Sequence, residues 1–91
     1  MWTMRHATPE TLEALAGLLT ELRAIDGIAE KRPGAFSRGS RAFLHFHDDS
    51  TGQYADVRFG DEFERCRVTT KREQRALVAR IRTELKRSAT R

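Results

Sequence analysis

The chain has 91 residues, 38% hydrophobic and 33% charged, with 17 Lys and Arg against 13 Asp and Glu for a formal net charge of +4. That length holds one domain with a modest core, and no apolar run approaches the ~18 residues of a membrane span. The single cysteine, Cys66, excludes an intrachain disulfide and a thiolate metal cluster within one chain.

The first predicted element is a helix over 9–25. Thr8 is its N-cap and Pro9 its first residue, Glu10 and Glu13 favour the dipole, and Leu12, Leu15, Leu19 and Leu22 form an apolar stripe. Asp26-Gly27 ends it. Ile28–Arg32 reads as a short strand closed by a Pro33-Gly34 turn, and Arg38-Gly39-Ser40 reads as loop.

A hairpin is predicted over 41–59. Asp48-Asp49-Ser50-Thr51-Gly52-Gln53 is rich in turn formers and is flanked by apolar–polar alternation. With Asp49–Gly52 as the loop, His47 stands opposite Tyr54, His45 opposite Asp56 and Leu44 opposite Val57. One face then holds Ala42, Leu44, Phe46, Ala55, Val57 and Phe59. The other holds Phe43, His45, His47, Tyr54, Asp56 and Arg58. Gly60-Asp61-Glu62 breaks the pattern, and Phe63–Val68 fits a strand or a helical turn equally well.

Thr70-Lys71-Arg72-Glu73 is a capping box opening a second helix over 71–87, with Leu77, Val78, Ile81 and Leu85 on one face. Each helix has one apolar stripe and the hairpin one apolar face. The expected fold is therefore α+β over residues 1–91: two layers, an antiparallel sheet of three to four strands with both helices on one face.

The sheet face left open is the candidate contact surface for a protein, a small ligand or a nucleic acid: Arg41, Phe43, His45, His47, Tyr54, Asp56 and Arg58. His45 and His47, two apart on a strand, project the same way, and with Asp56 opposite they form a candidate divalent-metal set. A structural or interface role for the histidines competes with that reading, as does a His45–Asp56 base and orienter. No nucleophile and no phosphate-binding glycine pattern accompanies them, so binding is expected over catalysis, with no cofactor other than a divalent metal.

Charge is split along the chain. Residues 1–64 carry 7 basic and 11 acidic side chains, residues 65–91 carry 10 and 2. Arg72, Arg75 and Arg82 on the second helix are candidate nucleic-acid contacts, against the reading of a solvated face in an Arg-rich composition. A homodimer through the open face or a strand edge is a further candidate. Met1-Trp2-Thr3-Met4-Arg5 lacks an apolar signal core, so a cytoplasmic location with no membrane partner is expected.

The run Ser40-Arg41-Ala42-Phe43-Leu44-His45-Phe46-His47, followed by a turn and Asp56-Val57-Arg58, resembles a family of small uncharacterised bacterial proteins labelled luciferase family or luciferase domain. Members share a Gly/Ser-Arg-x-(aromatic or aliphatic)-x-His-(Phe/Leu)-His strand, a returning apolar strand, a further strand and a C-terminal helix. The matching positions are Arg41, Phe43, His45, Phe46 and His47, and the layout covers roughly residues 12–87. Gly60–Val68 departs from the family in being short and lacking a tryptophan-bearing strand. The resemblance implies a fold more than an activity, and it marks His45 and His47 as the first residues to test.

Overall fold

A computed structural model describes the backbone of residues 5–89 and the side chains of 7–87; Met1–Met4 lie outside the described residues. The Thr8 hydroxyl accepts from the Thr11 amide at 3.2 Å and Pro9 sits in the first turn, as the cap sequence dictates. The helix expected over 9–25 is interrupted, giving α1 (Pro9–Ala14) and α2 (Ala16–Arg23). Leu15, at φ −100° and ψ 15°, is the break. Backbone bonds from Leu15 to Thr11 (3.1 Å) and from Leu19 to Leu15 (2.9 Å) span it. The two segments answer to different anchors. Thr11 in α1 donates its hydroxyl to Asp48 of the sheet, whereas α2 buries Leu18, Leu19 and Leu22.

The sheet has more strands than expected. β2 (Ala29–Arg32), β3 (Ala35–Arg38), β4 (Arg41–Asp49), β5 (Gly52–Phe59) and β6 (Glu62–Arg67) run antiparallel in chain order, and the two-residue β1 (Arg5–His6) pairs with β4. Five strands in a meander thus replace the expected three to four. Ala35–Arg38 is strand, and only Gly39-Ser40 next to it is turn. β3 has one buried residue, Phe36, and β6 is exposed except at Cys66, so neither shows the apolar alternation that announces a strand.

The hairpin register is the expected one: Leu44 opposite Val57, His45 opposite Asp56, His47 opposite Tyr54. Asp49 and Gly52 also pair, which leaves Ser50-Thr51 as the loop. The β3–β4 register, by contrast, slips. Phe36 opposes Leu44 but Ser37 opposes Ala42, so Phe43 is an extra residue on β4.

α3 (Lys71–Ala89) opens on the capping box. The Glu73 amide donates to the Thr70 hydroxyl at 3.1 Å, and Glu73 Oε1 accepts from the Thr70 and Thr69 amides at 2.9 and 3.1 Å. One core cluster joins Leu15, Leu18, Leu19, Leu22 and Ile25 with Leu77 and Ile81 of α3, with Phe36, Leu44, Phe46, Ala55 and Val57 of the sheet, and with Val68 just after β6. Since Leu44, Phe46, Ala55 and Val57 share one face, the helices cover that face. No helix among the described residues is long and apolar enough to cross a membrane.

Candidate functional site

On the uncovered side of β4–β6 the registers line side chains into three rows. The first is Arg58–Phe63, the second His45–Asp56–Arg65, and the third His47–Tyr54–Arg67. Neighbours along a row are about 5 Å apart and rows about 7 Å apart, close enough for every long side chain to reach the next.

Asp56, 13% exposed in its side chain, is the hub of this face. Arg65 grips it bidentately, Nε to Oδ1 at 2.8 Å and NH2 to Oδ2 at 3.1 Å. His47 Nε2 lies 3.0 Å and His45 Nε2 3.5 Å from Oδ2. The two imidazoles meet edge to face with centroids 4.9 Å apart. Burial alone would raise the Asp56 carboxyl. The hydrogen bonds and charge of Arg65, joined by the charges of His47 and His45, outweigh it and hold the group below the ordinary aspartate range.

Phe63 borders this hub and is the exposed large hydrophobe among the described residues, at 40%. Its ring lies 5.2 Å from that of His45, and the Arg58 guanidinium sits over it at 4.4 Å. Arg58 is fixed from behind by a 2.9 Å bond from Nε to the Ala42 carbonyl. In the third row the Tyr54 and Thr51 hydroxyls are 2.6 Å apart, and Arg67 is held by Glu73 at 3.1 Å.

The structure brings His45, His47, Tyr54, Asp56 and Arg58 onto one face, and places the other expected residues away from the histidines, Arg41 and Phe43 reaching only its Arg58 end. Phe43 is 1% exposed and belongs to the core cluster. Its expected place on the open face is corrected by the bulge, which re-aims the side chain, while Ala42, expected inside, is exposed. Arg41 stands opposite Arg38 on β3, away from the histidines. Arg72, Arg75 and Arg82 belong to the helix layer. Arg75 and Arg82 line a groove of about 530 Å³ between α2 and α3 with Lys71, and Arg82 is 3.7 Å from Glu21. This groove and the open face lie on opposite sides of the sheet.

Phe63, Arg65 and Arg67 are the site residues that sequence reasoning missed. The signal for them was the odd-numbered alternation Phe63, Arg65, Arg67 after a Gly60-Asp61 turn, which fixes β6 once a hairpin is accepted there.

The described residues that could hold a metal are His45, His47 and Asp56, whose donor atoms all lie within 4.8 Å of one another. The same atoms give a His47–Asp56 pair in which the carboxylate orients an imidazole. Cys66 is not part of the cluster: burial pushes its thiol up, away from the reactive thiolate. Comparisons with family models, with curated proteins and with solved structures return no match to this chain.

Proposed function

We propose that this protein is a cytoplasmic binding domain whose contact surface is the open face of β4–β6, centred on Asp56 and bordered by Phe63. One observation carries the reading. The helices and core occupy one side of the sheet, and the uncovered side holds an exposed aromatic ring within a set of interlocked polar side chains. Such a ring, flanked by Arg58 and His45, suits stacking against a base, an aromatic side chain or a second copy of the same face.

The test is an amide and side-chain NMR spectrum of the full chain recorded through a dilution series and against a single-stranded oligonucleotide of about ten nucleotides. The reading expects shifts at His45, Asp56, Phe63 and Arg65 that vanish in Phe63→Ser, a variant that keeps its fold. Shifts confined to Lys71, Arg75 and Arg82 would move the contact to the α2–α3 groove and overturn it.

A second reading rests on the 3.0 Å approach of His47 Nε2 to Asp56: an acid–base or metal-dependent enzyme with His47 as the proton carrier. It requires turnover that His47→Gln abolishes without unfolding the chain.

A further inference from the structure

Deepening the reading of the open face, and resting on it, we propose that His45, His47 and Asp56 form a three-ligand site for a first-row transition-metal dication, with zinc as the representative ion.

The argument starts from Asp56 Oδ2. Three nitrogens converge on this one oxygen: His47 Nε2 at 3.0 Å, Arg65 NH2 at 3.1 Å and His45 Nε2 at 3.5 Å. Of the three, Arg65 hydrogen-bonds Oδ2, while the two imidazole nitrogens stand at ion-pair distance from it, a spacing that a shared cation can bridge. A dication seated among the two imidazoles and Oδ2 would take a lone pair from each Nε2 and from the carboxylate, atoms that already lie within 4.8 Å of one another.

The dimensions fit. Metal–ligand bonds near 2.0–2.1 Å place donor atoms about 3.3 Å apart in a tetrahedron. The two measured imidazole–carboxylate separations lie on either side of that value, and the whole set spans no more than 4.8 Å. Closing the site needs side-chain adjustment with no backbone rearrangement, since the pairs His45–Asp56 and His47–Tyr54 are fixed by the β4–β5 ladder. β4 and β5 each pair on both sides, which holds these side chains on rigid elements suited to metal positioning.

Arg65 completes the arrangement. Its Nε bond to Oδ1 at 2.8 Å orients the carboxylate from the side away from the histidines, as outer hydrogen bonds do for metal-binding carboxylates. Two imidazoles and one carboxylate select a borderline ion over magnesium or calcium, which prefer all-oxygen shells. His45, 34% exposed in its side chain, lies where solvent reaches the ion, leaving the fourth position for water or for a donor atom of the bound partner.

The test is calorimetric titration of the full chain with zinc chloride in metal-free buffer, paired with long-range 1H–15N spectra of the imidazoles. The expected result is saturable one-to-one binding below about 1 mM zinc, with shifts at both His45 and His47. His45→Ala, His47→Ala and Asp56→Asn should each weaken it at least about tenfold, and magnesium should give no response. Absence of saturable zinc binding overturns the proposal, as does affinity unchanged in the His45→Ala/His47→Ala double variant, or an equal response to magnesium. The two readings fail separately. If zinc does not bind while an oligonucleotide or dilution still shifts Phe63 and Arg65, only the metal site falls.

Discussion

Arg65 and Asp56 stand directly opposite each other on β6 and β5 and are joined by two parallel hydrogen bonds of 2.8 and 3.1 Å. Asp56 is enclosed while half of the Arg65 side chain is in water, so the pair serves mainly to fix a carboxylate that two imidazoles share.

Asp56→Asn should therefore cost about 1 kcal/mol at neutral pH, a charge-assisted bond discounted for the solvated arginine. The sign of its pH dependence follows from the depressed folded-state carboxyl. The stabilisation is fully present above the ordinary aspartate value of 3.8 and is lost as pH falls through the lower folded value. Urea unfolding from pH 7 down to pH 2 checks this, and the variant should lose less stability than the parent over the acid limb.

Phe43 and Phe63 should respond in opposite ways to truncation. Phe43→Ala empties a fully buried site and should cost about 3–5 kcal/mol, enough to threaten folding of a chain this small. Phe63→Ala removes a ring that is 40% exposed and should cost no more than about 1 kcal/mol, mostly the lost contact with Arg58. Chemical denaturation of the two variants side by side decides the assignment of core and surface.

Gly34 should resist substitution, for backbone strain and for a contact that Leu12 must give way to. Its φ is +77°, and a Cβ there would lie 2.6 Å from Leu12 Cδ2. Gly34→Ala should cost about 1–3 kcal/mol, lowering the melting temperature by about 5 °C or more. Gly39 has φ +62° with open space around it, so Gly39→Ala should cost only about 1 kcal/mol from the left-handed backbone. Thermal melts followed by circular dichroism separate the steric contribution at Gly34 from the backbone one.

Glu73 gathers the amides of Thr69 and Thr70 and the guanidinium of Arg67. Glu73→Ala should cost about 1 kcal/mol in the urea midpoint. Glu73→Gln should retain part of it, because an amide still reaches back in a capping box.

The sequence made the hairpin legible because its turn formers and its alternation both point to one register, and that register alone places His45 beside Asp56. The bulge at Phe43 was illegible. It arises from how β4 meets β3, and β3 itself was hidden behind the turn-like Arg38-Gly39-Ser40. β6 was hidden for another reason. Its helix-side position opposite Val57 is Glu64, which Arg80 of α3 neutralises at 2.7 Å. A strand whose inner face carries a charge satisfied from a distant helix looks polar on both sides. The open face was thus half seen: the β4 and β5 contributions were read, and the β6 contribution needed the third dimension. The caps at Thr8 and Thr70 were legible because each acts within four residues of chain, whereas the break at Leu15 lies between a segment tied to Asp48 of the sheet and a segment buried on its leucines, contacts that local sequence does not show.

From β2 to β6 each strand pairs with the next in the chain, across turns at Pro33-Gly34, Gly39-Ser40, Ser50-Thr51 and Gly60-Asp61. Closing each turn costs little loop entropy, so the meander can zip up from any of its hairpins and low contact order favours rapid folding. All the strands precede α3 in the chain, so the sheet can form before α3 docks on it. Until α3 packs on, the apolar wall that includes Val57 and Val68 is covered only by α2. α3 is the lid that ends this period of stickiness, and a chain lacking Leu77 and Ile81 would display that apolar wall to its neighbours.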